Sequence, residues 1–339
     1  MGTDEKHLDA GAVRQALTRR LIGDRPGAEV TPPIRLTGGA SQQMWSFDVI
    51  EGARVEPLIL RLAGPWNQAD SDTVGLANEA RLLAVVAGHD VPVPRVRARL
   101  SPEDGLGEGY VMQRLEGETL PQRLLRDDAY AGARDVLARQ CGRVIAGVHQ
   151  VPTGEVPFLR RLDTAEAVES LYREYRGYGE PRPVFELAFR WLREHLPARE
   201  PEPALVHGDF RNGNLIINRH GLRALLDWEL AYVGDPMADL GWLCVNAWRF
   251  GEIDLPVGGF GSREDLYAGY QEASGQAVAT DRVAFWERFG TLKWGVICQK
   301  MAAAFTDGHD RTVERGAIGR RASETELDLL RLLAPLDPI

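Results

Sequence analysis

The spacing of apolar residues changes along the chain and divides it into a strand-rich first third and a mostly helical remainder. Apolar positions recur at helical spacing over residues 8–21 and 72–87, with Asp72 placed to cap the second helix. Short apolar or alternating stretches punctuated by glycine predict a small antiparallel sheet. Its predicted strands are residues 34–36, 44–50, 57–62, 96–100 and 109–115.

After Gly117 the apolar residues follow the helical period, apart from one island at 204–232. Helices are predicted at 129–149, 164–175, 184–195, 236–247, 263–273, 281–304 and 323–334, and short buried strands at 204–207, 215–218 and 222–226. The chain is therefore predicted to have an α+β, two-lobe fold. A small β-rich lobe occupies residues 1–114 and a larger, mostly helical lobe residues 115–339. A cleft between two lobes is a usual place for a ligand.

Composition and charge narrow the class of protein. The 339 residues include 40 Lys and Arg against 49 Asp and Glu, a formal net charge of −9, which disfavours a nucleic-acid-binding surface. The three cysteines are distant from one another, so we expect buried thiols in a reducing compartment. No apolar run is long enough to span a membrane, and the first residues do not resemble a signal peptide. The expected location is the cytoplasm.

Polar residues with metal-binding chemistry follow the predicted strands of the island. Asp209 and Asn214 lie in the loop between two of these strands, and Asp227 comes just after the next one. Oxygen donors without a thiolate suit Mg²⁺, which completes its shell with water and phosphate oxygens. The arrangement predicts metal-assisted phosphoryl transfer. The alternative is that these residues are ordinary turn formers and caps.

The spacing of the loop adds to this hypothesis. Asn214 follows Asp209 by five positions, as in the D-x-x-x-x-N pattern of protein-kinase catalytic loops. In that pattern the Asp accepts the proton of the acceptor hydroxyl and the Asn holds a metal ion. Arg211 follows Asp209 by two positions and is expected to reach the transferring phosphate.

The sequence resembles the aminoglycoside phosphotransferase and choline kinase family, whose members have a protein-kinase-like fold. The resemblance is carried by residues 207–214, 227–229 and 234–240. Residues 294–298 and 318–324 resemble a subgroup of kinase-like domains that are found fused to acyl-CoA dehydrogenases. The resemblance extends over about residues 30–335.

The resemblance implies a role for each matching residue of the larger lobe. Asp209 would be the catalytic base, and Asn214 and Asp227 would hold Mg²⁺ between the nucleotide phosphates. His207 would be structural, with a role as catalytic acid as the alternative, and Asp239 would support the loop by accepting backbone N–H bonds. The pair 235–236 independently predicts a helix start, with an Asp cap before a Pro.

The smaller lobe matches the family with two departures. A full G-x-G-x-x-G is missing, but Gly38, Gly39 and Ser41 are expected to cradle phosphate. Arg61 stands where the family usually has Lys, and it can still grip phosphate. Glu79 is its predicted ion-pair partner; the alternative is that both are solvated surface charges.

The sequence indicates less clearly which residues bind the nucleotide base and the acceptor. Backbone groups of Met112, Gln113 and Arg114 are expected to bind a purine edge, with ATP as the default and GTP possible. Candidates for the acceptor pocket are the residues Trp242, Trp248, Phe250, Trp286, Trp294 and Lys300. Acidic clusters suited to a polycationic aminoglycoside are not obvious in this stretch, so the acceptor stays open, as does the oligomeric state.

The resulting prediction is an enzyme that transfers the γ-phosphate of ATP or GTP to a hydroxyl of a small molecule, with Mg²⁺ as cofactor. The partners are a nucleoside triphosphate and a small hydroxylated substrate, without nucleic acid or membrane. The alternative is a kinase-like nucleotide-binding module with little or no turnover, for which Arg61 is the support. A protein kinase is disfavoured because an A-P-E segment is missing. A metal hydrolase is disfavoured because the additional His ligands are missing.

Overall fold

The computed structural model describes residues 8–36, 42–64 and 73–334. The chain divides into two units, of which the first comprises Met1–Gly117 with Arg223–Ala231 and the second comprises Glu118–Leu222 with Tyr232–Ile339. Segment 223–231, which follows the predicted catalytic loop, is thus grouped with the first unit, and the predicted lobe boundary after residue 114 stays a prediction. Gly38, Gly39, Ser41 and Asp72 lie outside the described residues.

The first unit is built on an antiparallel sheet. Its elements are α1 (Ala10–Leu21), β1 (Ala28–Val30), β2 (Ile34–Leu36), β3 (Gln42–Glu51), β4 (Arg54–Ala63), α2 (Leu76–Gly88), β5 (Val96–Arg99) and β6 (Gly109–Gln113). The strand order is β1-β3-β4-β6-β5, and β2 also pairs with β3. Alternate residues of the long β3–β4 hairpin, among them Phe47 and Leu60, pack with Leu17 of α1 in one apolar core.

The second unit is mostly helical. Its helices are α3 (Pro121–Arg126), α4 (Ala131–His149), α5 (Thr164–Gly177), α6 (Pro183–Glu194), α7 (Met237–Cys244), α8 (Arg263–Ser274), α9 (Thr280–Thr306), α10 (Val313–Gly319) and α11 (Ala322–Leu333). Its short strands are β7 (Ala204–Val206), β8 (Leu215–Asn218) and β10 (Tyr232–Gly234), while β9 (Gly221–Leu225) runs from this unit into the first. Strands β7 and β10 pair antiparallel. The predicted α+β class is confirmed.

Several elements differ from the sequence prediction. The predicted helix 236–247 is shorter, because α7 ends at Cys244 and Val245 turns to an extended conformation. The short elements β1, β10, α3 and α10 were not predicted, since they are too brief to show a period. The three cysteines are free and buried, as expected. Within the described ranges, no helix combines the length and the apolar character that a membrane crossing needs.

Two glycines allow helices α4 and α8 to approach each other closely. A methyl group on Gly142 of α4 would collide with the carbonyl oxygen of Leu266, and one on Gly269 of α8 would collide with the carbonyl oxygen of Arg139. Backbone atoms cannot move aside as flexible side chains can. The sequence therefore needs a residue without Cβ at both points of the crossing.

We expect Gly142→Ala to lower the free energy of unfolding by about 1–3 kcal/mol or more, because the added methyl group separates α4 from α8. Gly132→Ala, on the same helix, is the matched control, since its Cβ would meet open space. This control is expected to be neutral or stabilising by up to about 1 kcal/mol, as Ala favours the helix. Urea unfolding measures both; equal stability of the two variants would contradict the packing argument.

Candidate active site

A buried carboxylate on α7 holds the backbone of the loop that joins β7 to β8. Asp239 accepts a hydrogen bond from the His207 amide at 2.8 Å and another from the Gly208 amide at 3.0 Å. Its Oδ2 also lies 3.1 Å from Nε2 of His149, at the end of α4. Asp239 is 1% exposed, so these contacts replace water around its charge. The predicted support of the loop by Asp239 is confirmed.

The loop side chains converge on the carboxylate of Asp209. Asn214 donates its amide N–H to Oδ2 of Asp209 at 2.6 Å, and Trp242 donates its indole N–H to Oδ1 at 2.8 Å. The Nε of Arg211 lies 3.1 Å from one carboxylate oxygen and 3.2 Å from the other. Three side chains therefore fix the orientation of a carboxylate that is still 13% exposed.

Arg211 is itself held from its other side. Its guanidinium carbon lies 4.6 Å from the ring centroid of Trp248, a cation–π contact. Trp248 packs against Trp242 at 5.1 Å and against Trp294 at 4.8 Å between ring centroids. The aromatic cluster of Trp242, Trp248 and Trp294 thus contacts both Asp209 and Arg211.

Asp227 belongs to the first unit, where it follows β9. Its φ is +65°, which Asp tolerates better than most residues but which is uncommon outside glycine. The next residue is anchored, because the Trp228 amide donates to Oε1 of Glu79 at 3.2 Å. Oδ1 of Asp227 accepts a hydrogen bond from Nη2 of Arg61 at 2.6 Å. The predicted meeting of Asp227 with Asp209 and Asn214 around one ion stays a prediction.

Arg61 is the centre of a buried charge cluster in the first unit. Its Nη1 lies 3.1 Å from Oε1 of Glu79, and its Nε donates to the side chain of Gln42. Gln42 in turn donates to Glu229 at 2.9 Å. Arg61 is 8% exposed and Glu79 is 1% exposed. The ion pair predicted for these two residues is present, and the alternative of two solvated surface charges is wrong.

Burial and neighbouring charges have opposite effects on the pKa values of the groups in this cluster. Burial works against the charge of Arg61, but Glu79, then Tyr110 and Asp227 outweigh it and hold the pKa of the guanidinium above its usual value. For Glu79, burial is the larger effect and raises the pKa of the carboxyl to about 7, although Arg61 lowers it. The cluster therefore holds a permanent cation beside a carboxyl that titrates near neutrality.

The segment predicted to bind a purine edge lies at the end of β6. Met112 pairs with Ile59 of β4 and with Val96 of β5. The amide of Gln113 donates to the Arg95 carbonyl, and the amide of Arg114 donates to the Pro57 carbonyl. A base bound here would have to use other groups of the segment. The Arg114 side chain is engaged by Asp48 at 2.8 Å.

The donor chemistry fits a magnesium ion with few protein ligands. Asn214 turns its amide nitrogen to Asp209, which leaves its carbonyl oxygen for a cation. Asp227 is 32% exposed, and its second oxygen accepts no hydrogen bond from the residues that the structure describes. Those residues contain no group of three or more His, Cys, Asp or Glu arranged to hold a metal. An ion bound to either of these residues would depend on water and phosphate oxygens for most of its shell.

Three contributors to these clusters were not predicted from the sequence. The sequence prediction does not include His149 or Gln42, and it places Trp242 in the acceptor pocket rather than beside Asp209. The only sequence signal lay in α7, where Trp242 follows Asp239 by three positions and so shares its helix face. For His149 and Gln42, nothing in the spacing indicates the contact.

The aromatic residues predicted for the acceptor pocket have different surroundings. Trp286 is buried and donates to Asp235 at 2.8 Å, so it belongs to the core. Phe250 and Trp294 line a cavity of about 360 Å³ within the second unit, together with Ala247, Arg321 and Asp328.

Comparison with known proteins assigns the chain to a family. The sequence model of the phosphotransferase enzyme family matches residues 34–286, most of the chain. The protein is a member of that family. The prediction of an enzyme of the phosphotransferase class is thereby confirmed, as is the resemblance on which it rested.

The curated relatives of this phosphotransferase support the predicted subgroup. It is 29% identical over 181 residues to the acyl-CoA dehydrogenase family member 10 of Mus musculus, covering 50% of this chain and 16% of that protein. It is 27% identical over 225 residues to the probable acyl-CoA dehydrogenase IBR3 of Arabidopsis thaliana, covering 61% of this chain and 27% of that protein. The chain thus spans about a quarter or less of the length of these relatives.

Solved structures share the fold of this phosphotransferase. A Ralstonia eutropha protein, provisionally described as an aminoglycoside phosphotransferase, has a TM-score of 0.73 at 21% identity, covering 97% of this chain and 99% of that one. The macrolide 2'-phosphotransferase MphH of Brachybacterium faecium has a TM-score of 0.60 at 18% identity, covering 98% and 99%. A mutant aminoglycoside phosphotransferase APH(4)-Ia, complexed with AMP-PNP and hygromycin B, has a TM-score of 0.62 at 15% identity, covering 96% and 100%.

At about pH 8, where Glu79 is ionised in the wild type, we expect Arg61→Met to lower the free energy of unfolding by about 3–5 kcal/mol, because Glu79 would remain buried without its cation. Arg97→Met is the control: Arg97 pairs with Glu56 at 3.1 Å in the same unit, but the pair is exposed. Its loss is expected to cost less than about 1 kcal/mol. Denaturant unfolding compares the two, and similar losses would show that the burial of Arg61 carries no energetic weight.

The raised pKa of Glu79 predicts a pH dependence of stability. The folded protein binds this proton more tightly than the unfolded chain does, since the folded pKa is about 7. The stabilisation is therefore present below the ordinary Glu pKa and is lost as the pH rises through about 7. Relative to Glu79→Gln, the wild type should lose stability between about pH 5 and about pH 8. The exposed Glu29→Gln is the control, and parallel profiles for wild type and Glu79→Gln would contradict the prediction.

Proposed function

We propose that this phosphotransferase moves the γ-phosphate of ATP or GTP onto a hydroxyl group of a small molecule, with Mg²⁺ as cofactor. The observation that carries the proposal is the arrangement around Asp209. Its carboxylate is partly exposed and is oriented by Asn214, Arg211 and Trp242. A fixed carboxylate in that setting suits a base that positions an acceptor hydroxyl.

Each residue has a part in the proposed transfer. The hydroxyl oxygen attacks the γ-phosphorus, the bond to the bridging oxygen of the nucleoside diphosphate breaks, and the hydroxyl proton passes to Asp209. Arg211 would steady the transferring group. Asn214 and Asp227 would hold the magnesium ion, which neutralises phosphate charge when it is bound. Arg61, oriented by Glu79, would face the nucleotide phosphates, with Gly38, Gly39 and Ser41 as the phosphate loop.

We propose the 360 Å³ cavity as the acceptor pocket, and the charges in its lining then bear on the nature of the acceptor. The two carboxylates in its wall are already engaged: Glu324 pairs with Arg321 at 3.0 Å, and Asp328 accepts from Asn246 at 3.0 and 3.1 Å. A polycationic acceptor needs free carboxylates. The lining instead favours an acceptor with few charges, placed against Trp294 and Phe250.

A nucleotide-binding module with little turnover is the second candidate. The observation in its favour is that Arg61 already engages Glu79, Asp227 and Gln42. A guanidinium has five N–H donors, however, so binding three partners still leaves donors for a phosphate.

The proposed enzyme would act in the cytoplasm.

The function is tested by offering nucleotide, Mg²⁺ and a panel of hydroxylated small molecules to the purified protein and detecting phosphorylated product by mass. We expect Asp209→Asn to lower kcat by about 10²–10⁴-fold, because the amide cannot take the proton. Nucleotide binding, followed by thermal shift, should persist. Asp135→Asn, an exposed position on α4, is the control. Unchanged turnover in Asp209→Asn would remove the proposed base, and nucleotide binding by a wild type without turnover would favour the second candidate.

A further inference from the structure

The hydrogen bonds of Asp209 are unequal, and the difference bears on the reaction. A carboxylate offers about four lone-pair positions. Asn214 and Trp242 each take one with a short bond, at 2.6 and 2.8 Å. Arg211 shares one Nε–H between both oxygens at 3.1 and 3.2 Å and so covers the rest more weakly. An acceptor hydroxyl that binds Asp209 would therefore replace Arg211 and leave the other two bonds in place.

We propose that Trp242 is a positioning residue for Asp209, a role that rests on the proposed phosphotransferase activity. The indole N–H holds Oδ1 in place when Arg211 gives way to the acceptor hydroxyl. Without this bond, only Asn214 would still orient the carboxylate during the reaction.

The indole of Trp242 is held firmly enough for this role. It is 6% exposed, with the Trp248 ring at 5.1 Å and the Lys293 ammonium 4.9 Å from its centroid. On α9, a methyl group at Gly290 would come within 2.9 Å of the Trp242 ring. The same short helix also supplies Asp239, which fixes the loop backbone. Helix α7 thus sets both the loop and the carboxylate that the loop carries.

Other tryptophans show that this bond is not a general consequence of burial. The indole N–H groups of Trp45, Trp248 and Trp294 are buried without a hydrogen-bond partner among the described residues. Trp242 instead donates to the one carboxylate to which the proposed chemistry assigns a proton. The closest structural parallel is Trp286, which donates to Asp235 at 2.8 Å. Asp235 is also held by the Met237 amide and Arg282, and it has no part in the proposed reaction.

The test compares Trp242→Phe with Trp286→Phe, since each removes one indole–carboxylate bond and keeps a ring in the core. We expect Trp242→Phe to lower kcat by about 10–100-fold with little change in KM for nucleotide or acceptor. Trp286→Phe should leave kcat close to that of the wild type, even where it lowers the melting temperature. In an Asp209→Ala background, Trp242→Phe should have almost no further effect on the residual rate, because the two residues act together.

A nuclear magnetic resonance measurement tests the contact independently of turnover. With ¹⁵N-labelled tryptophan, Asp209→Ala should shift the indole N–H resonance of Trp242 and leave that of Trp286 in place. An unmoved Trp242 resonance, or equal kcat losses in the two Phe variants, would overturn the positioning role. A wild type that phosphorylates no acceptor removes the proposed function and with it this role, even where the resonance moves. Loss of kcat confined to Trp242→Phe, together with the shifted resonance, supports the role.

Discussion

The candidate active site depends on a single buried carboxylate that is not itself placed in the chemistry. Asp239 takes hydrogen bonds from two consecutive loop amides and contacts His149. Strand β7 ends at Val206, and the Gly208 φ of +82° then turns the chain away from the extended path of the strand, where both amides bond the Asp239 side chain. A side chain from α7 supplies what a strand would otherwise provide. The loop can then leave the sheet and still keep one conformation.

Both units contain buried charged groups that hold their polar residues in place. The two units offset the unfavourable free energy of removing charge from water in different ways. In the first unit, Arg61 balances Glu79 and Asp227 directly. In the second, neutral N–H donors from the backbone, Asn214 and Trp242 bind Asp239 and Asp209, and Arg211 adds a cation beside Asp209. A full ion pair fixes geometry but ties up the charge. Asn214 and Trp242 orient Asp209 without a countercharge of their own, which suits the proposed role of this carboxylate as a proton acceptor.

The sequence predicted those parts of the site that are determined locally. Asp209, Arg211 and Asn214 lie within six residues between two short strands, so their spacing alone indicates that they share a loop. The contact of Trp242 with Asp209 bridges 33 positions and that of His149 with Asp239 bridges 90. Such contacts arise because tertiary packing brings residues of α4 and α7 to the loop, which no local periodicity encodes. In the same way, three-residue strands such as β10 exist only because β7 pairs with them.

The arginine at position 61 shows how a departure from a family pattern can be explained by its neighbours. Three different side chains bind it through three different nitrogens: Gln42 at Nε, Glu79 at Nη1 and Asp227 at Nη2. A lysine ammonium is a single nitrogen on a narrow stem and would have to serve all three from one point. Gln42 also donates a hydrogen bond to Glu229. The guanidinium of Arg61 and its partners therefore connect β3, β4, α2 and the residues after β9. Arg61 therefore forms one hydrogen-bonded set with its neighbours. This argues against the interpretation that the arginine marks the loss of a functional lysine.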